Sequence, residues 1–102
     1  MKKIIGGRRY DTDTAILVAK YSNDLPVREF RHFEESLYRT KNGNYFLAGS
    51  GGALTKYAQP SGNNSYSSGE GLEPLDLDTA LAWLERHNIQ QAIEQWFTVE
   101  DA

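Results

Sequence analysis

Two β-prone runs, ending at Thr40 and opening at Tyr45, flank Asn42-Gly43, and no other local feature restricts the fold so strongly. Both turn residues tolerate the positive φ that a twist-matched reversal needs, so an antiparallel hairpin is expected there. Phe30 to Thr40 reads as the first strand and Tyr45 to Ala48 as its return. A two-residue turn would pair Tyr38 with Leu47 and Arg39 with Phe46. A three-residue Lys41-Asn42-Gly43 loop would pair Tyr38 with Phe46 and Leu37 with Leu47, which keeps more apolar surface together and is preferred. The second arm runs into Gly49-Ser50-Gly51-Gly52 and then Ala53-Leu54-Thr55-Lys56, read as a tight strand-to-helix turn. Free amides in such a turn can hold an anion, but the spacing matches neither GxGxxG nor GxxxxGK[ST].

Before this hairpin, Lys3-Ile4-Ile5 and Arg8-Arg9-Tyr10 surround Gly6-Gly7, a second and shorter hairpin signal. Asp11-Thr12-Asp13-Thr14 offers side chains to cap a first helical turn, so a helix is expected from Thr12 to Ser22, with a strand as the competing reading because of Ile16 and Val18. Asn23-Asp24-Leu25-Pro26 ends it. Gln59 to Gly71 is rich in Gly, Ser and Asn with Tyr66 its one large side chain, and reads as a mobile surface loop. Asp76 is placed to cap a helix whose Leu77, Ala80, Leu81 and Leu84 recur at helical spacing, and Leu75 with Ala80 fits a hydrophobic staple. After Asn88, the residues Ile89, Ala92, Ile93, Trp96 and Phe97 give a second apolar stripe. The expected fold is α+β: a small antiparallel sheet from the N-terminal and central hairpins, packed with one N-terminal helix and two C-terminal helices.

The 102 residues, 39% apolar and 25% charged, suit one domain with a modest core. No apolar run is long enough for a bilayer and no secretory signal pattern opens the chain, so a soluble, cytoplasmic protein without membrane association is expected. Cysteine is absent, which excludes disulfides, thiolate metal sites and cysteine nucleophiles. The net charge of −3 conceals an uneven distribution. Residues 1–69 carry ten Lys/Arg against six Asp/Glu, a sum of +4, whereas residues 70–102 carry Arg86 alone against eight acids, a sum of −7. An acidic segment suits a basic protein surface and a basic one suits phosphates, though charge on a solvated helix face is the ordinary case.

Catalytic groupings are sparse. His32 and His87 lie in different segments without HxxxH or HExxH spacing, and each reads more readily as a structural histidine than as a zinc ligand assembled with Glu34, Glu35 or Asp76. Glu34 and Glu35 are neighbours on a strand, so their carboxylates face opposite sides; one is expected in solvent and the other beside a basic group. Ser61, Ser65, Ser67 and Ser68 lack a GxSxG elbow. No cofactor is expected. Arg8, Arg9, Arg28, Arg31, Arg39 and Lys41 interleave with Tyr10, Phe30, Phe33, Tyr38 and Tyr45, a composition that nucleic-acid stacking surfaces share, although aromatics alternating on a sheet more often form a core.

Taken together, Ile5–Ala15 (IGGRRYDTDTA), Leu37–Leu47 (LYRTKNGNYFL), and Pro74-Leu75 ahead of Ala80–His87 (ALAWLERH) resemble small hypothetical proteins of bacterial phages and mobile elements. That resemblance brings no functional residues with it. Small acidic proteins from that setting are often similar to anti-CRISPR or other anti-defence inhibitors, which occupy a host protein's surface. The resemblance thus implies a non-enzymatic inhibitor of a host defence complex, such as a CRISPR–Cas effector with a basic surface. Glu70, Glu73, Asp78, Glu85, Glu94 and Tyr66 are the expected partner contacts. The alternative is a nucleic-acid-binding accessory protein using Arg8, Arg9, Arg31, Arg39 and Lys41.

Overall fold

In the computed structural model, which describes residues Met1–Ala102, the central hairpin organises a three-layer arrangement. Strands β1 (Lys2–Ile5) and β2 (Arg8–Asp11) form the N-terminal hairpin. Four strands, β3 (Ile16–Ser22), β4 (Phe33–Arg39), β5 (Tyr45–Gly51) and β8 (Gly69–Leu75), make the main antiparallel sheet in the order β3-β4-β5-β8. A two-residue pair, β6 (Gln59–Pro60) with β7 (Tyr66–Ser67), interrupts the chain before β8. Helices α1 (Leu77–Arg86) and α2 (Gln90–Trp96) close the molecule.

The β4–β5 register pairs Leu37 with Leu47 and Tyr38 with Phe46, as the three-residue loop requires. Thr40 closes it: its amide donates to the Asn44 carbonyl at 2.8 Å, and its carbonyl accepts from Gly43 at 2.9 Å. Gly43 takes the left-handed conformation, φ +87°, that a side chain would resist. Alternation along β5 then sends Tyr45 and Leu47 toward the helices and Phe46 toward the N-terminal hairpin. On the helix side, Leu37, Tyr45 and Leu47 pack with Ala80, Trp83, Leu84 and Ala92. On the other side, Phe46 is fully buried between Tyr10, which meets it edge-on at 5.5 Å, and Tyr38, which stacks at 5.2 Å.

Asp76 caps α1, its Oδ1 accepting from the Thr79 amide at 2.8 Å, and the Thr79 side chain together with that amide holds its carboxyl below the usual range. Asn88, at φ +57°, breaks the chain direction before α2. Both C-terminal helices form where expected, but the buried face of α1 is Ala80, Trp83 and Leu84, and Leu77, expected in its stripe, is exposed.

Several expectations need correction. The N-terminal helix does not form: Ile16–Ser22 is strand β3. Asp11 supports a turn instead, its carbonyl accepting from Ala15 at 3.0 Å and its Oδ1 from Asp13 at 2.9 Å. The β-branched run supplies an outer strand to β4, and a bulge between Leu17 and Ala19 lets both Val18 and Ala19 meet the core. Second, the N-terminal hairpin is a separate two-stranded sheet and shares no ladder with the main one. Third, residues 59–71 are not one structureless loop, since they hold the β6–β7 pair and the start of β8. Fourth, residues 30–32 belong to the loop ahead of β4, and no helix follows Gly49–Gly52. No helix of the protein is long and apolar enough to cross a membrane.

Candidate functional site

Alternation along β4 places Phe33, Glu35 and Leu37 on the helix-facing side, which puts a carboxylate into the apolar layer. Glu35 is 5% exposed, and both of its oxygens are engaged. Oε1 accepts from the Trp83 indole at 2.9 Å; Oε2 accepts from the Tyr57 hydroxyl at 2.5 Å and meets Lys56 Nζ at 2.8 Å. Glu34, one residue away, points to solvent, so the adjacent pair divides as alternation requires. Lys56 also reaches Glu73 Oε1 at 3.4 Å.

Burial would push the Glu35 carboxyl up, but hydrogen bonds from Lys56, Tyr57 and Trp83 and the Lys56 charge hold it below the usual range. Lys56 shifts up: burial works against its charge, and the Glu35 and Glu73 carboxylates outweigh it. Burial and the Glu35 carboxylate both push the Tyr57 hydroxyl up. A carboxylate held ionised is a weak base and a phenol pushed up is a weak acid, so this cluster is suited to fixing structure rather than moving protons.

The glycines explain how Tyr57 gets there. A Cβ on Gly49 would lie 2.1 Å from the Tyr57 hydroxyl oxygen, one on Gly51 2.3 Å from Thr55 Oγ1, and one on Gly52 2.5 Å from the Phe30 carbonyl oxygen. Gly49 and Gly51 leave a bare strip of β5 on which Thr55 and Tyr57 lie, and Gly52, just past the strand, lets the Phe30 backbone approach. The Gly-Ser-Gly-Gly run does not form an anion-binding turn.

A groove of about 570 Å³ opens beside this cluster, between the loop ahead of β4, residues 54–56 and the end of α1. Leu25, Phe33 and Leu54 are its apolar lining, while Arg31, Lys56 and Arg86 bring positive charge. His87 forms part of the wall, stacked on Tyr21 at 3.7 Å and edge-on to Trp83 at 5.0 Å. Desolvation and the neighbouring Arg86 push its pKa down, against the pull of Glu35.

Beside the groove, the same loop end presents Val27 and Phe30 to solvent, 81% and 64% exposed, next to the lining Leu54, itself 60% exposed. Its backbone is nonetheless tied down. Asn23 donates to the Arg31 carbonyl and accepts from Leu25 and Phe33; His32, buried, donates to the Leu25 carbonyl at 2.8 Å; Leu54 donates to the Phe30 carbonyl at 2.9 Å. His32 is thereby a structural histidine.

The expected contact residues scatter. Asp78, Glu85 and Glu94 are exposed on α1 and α2, and none has a cation within 4 Å. Glu73 is committed to Lys56. Glu70, three residues from Glu73 on β8, faces the other side of the sheet, and Tyr66 is exposed on β7. Of the basic set, Arg8, Arg9 and Lys41 line one polar recess of about 610 Å³ between the two hairpin tips, where Arg8 donates to Asn44 Oδ1 at 3.2 Å. Arg39 turns away, its guanidinium 5.7 Å from the Trp96 ring, and Arg31 belongs to the groove.

Sequence reasoning gave no site role to Leu25, Val27, Leu54, Tyr57 or Trp83, and noted Arg86 only as the one cation of the acidic segment. Glu35 was open to closer reading, since it alternates with Phe33 and Leu37. Compared with family models, curated proteins and solved structures, the chain finds no match.

Proposed function

We propose that this protein is a non-enzymatic protein-binding inhibitor, of the anti-defence kind implied by its resemblance to mobile-element proteins, acting by surface contact with a host defence complex. The observation that carries this reading is the loop end: Val27, Phe30 and Leu54 are exposed on a backbone that side-chain and main-chain hydrogen bonds hold in one shape. Exposed apolar side chains on a fixed frame mark interaction surfaces, because little ordering entropy is lost on binding. Asp78, Glu85 and Glu94 give the helix layer an acidic exterior that would orient a partner of mixed charge.

The test is retention of a CRISPR–Cas complex from lysate on the tagged protein, with and without nuclease, comparing wild type with Phe30→Ser/Leu54→Ser. Nuclease-resistant capture lost in the double variant supports the reading. Capture indifferent to both substitutions refutes it. A second reading, nucleic-acid binding, draws on the convergence of Arg8, Arg9 and Lys41 on one polar recess. It requires affinity for DNA or RNA that falls steeply with added salt, and a flat salt dependence would remove it.

A further inference from the structure

We infer that the groove between the loop ahead of β4 and the end of α1 takes an acidic peptide segment of the partner, an apolar side chain seated on Leu25, Phe33 and Leu54 and a carboxylate between Arg31 and Arg86. The inference rests on the loop end being the binding surface and adds the chemistry of what it grips. Three observations carry it. Leu25, Phe33 and Leu54 line one groove together with Arg31 and Arg86, whereas the exposed Val27 and Phe30 flank it.

Its charge is also unevenly matched. Glu35 is fully engaged by Tyr57, Trp83 and Lys56, and Arg31 has only an exposed contact to Glu29 at 3.6 Å. Arg86 has no acidic side chain within 4 Å and is the one cation in an otherwise acidic segment. A guanidinium offers a planar fork that suits a carboxylate, and two such forks around an apolar floor discriminate against a basic or neutral peptide.

Lastly, the walls are already in place. Asn23 and His32 hold the loop, Gly52 admits the Phe30 carbonyl, and the Tyr21–His87 stack fixes the end of α1, so the groove is formed in the unbound chain.

The experiment uses fluorescein-labelled peptides of about ten residues, long enough to cross such a groove. One contains leucine and glutamate, and its counterparts carry lysine or glutamine in place of glutamate. Binding is read by anisotropy and by amide shifts in ¹⁵N spectra. The glutamate peptide is expected to bind best and to move the amides of Leu54, Thr55 and His87. Arg86→Glu and Arg31→Glu should each weaken it about tenfold, the loss of one charge-assisted pair. Arg28→Glu, the same charge change outside the groove, should have little effect. Equal binding of all three peptides, no binding of the glutamate peptide, or equal losses from Arg28→Glu and Arg86→Glu would each overturn the inference. If Phe30→Ser/Leu54→Ser abolishes partner capture while the peptides show no acidic preference, the surface reading stands and this one fails. If capture survives that double variant, both fail.

Discussion

Replacing Glu35 with Gln keeps the shape of the side chain and removes its charge, which isolates what the buried carboxylate contributes. The remaining oxygen can accept from the Trp83 indole only as a neutral bond, and an NH2 replaces the oxygen that faced Tyr57 and Lys56, so the Tyr57 hydroxyl must turn to accept. The two weakened bonds lose about 1 kcal/mol apiece, and the second amide hydrogen, facing the Lys56 ammonium, is a buried donor unmatched at about 1–3 kcal/mol. Lys56 adds little to the loss, because it is 55% exposed and can turn to Glu73 and water. The total is about 3–5 kcal/mol, or a fall in melting temperature of roughly 15–25 °C for a domain of this size. Urea and thermal unfolding followed by tryptophan fluorescence would measure it. The folded Glu35 carboxyl titrates below its unfolded value, so its contribution is present at neutral pH and fades as pH falls through the acid range. Wild-type and variant curves should therefore draw together only as pH falls below the usual glutamate range. A loss under about 1 kcal/mol, or a larger one from Lys56→Ala, would refute the view that Tyr57 and Trp83 anchor the carboxylate.

Gly49→Ala forces a Cβ to 2.1 Å from the Tyr57 hydroxyl oxygen and should cost about 2–4 kcal/mol in urea unfolding, whereas a neutral result would mean residues 52–58 do not pack as described. Asp78→Lys with Glu85→Lys should weaken capture of the partner and leave the melting temperature unchanged; unaltered affinity would remove the helix exterior from the interface. The pKa of His87, followed by NMR, should lie below that of an unfolded peptide, since burial and Arg86 both disfavour its charge. Its neutral stack on Tyr21 then contributes stability that is lost as pH falls through the folded pKa, and a midpoint above the peptide value would contradict this.

The central hairpin and the two C-terminal helices were legible because their signals are local. Gly43 decides the loop, Asp76 decides a helix start, and the helical recurrence of Ala80 and Leu84 decides a face, although Leu77, expected on it, is exposed. Residues 12–22 misled because Asp and Thr before an apolar run serve a turn as well as a helix cap. What settles the matter is β4, which needs a neighbour on its outer edge, and that demand is not visible from within Thr12–Ser22. The groove was less legible still. Leu25 and Arg31 come from the loop ahead of β4, Leu54 from the segment after β5 and Arg86 from the end of α1, and the packing of residues 55–57 against glycines of β5 helps to bring Leu54 to the others.

That bare strand has a bearing on how the fold could be recognised in other chains. With a Cβ at position 49 as close as 2.1 Å to the aromatic side chain at 57, the two positions form a lock whose parts cannot vary alone. A relative carrying alanine or serine at 49 would need a smaller residue than tyrosine at 57. It would then leave the carboxylate at 35 without one of its donors and favour an uncharged residue there. Coupled exchange at 35, 49 and 57 is thus a three-position signature of this architecture, readable in a sequence that shares little else with this one.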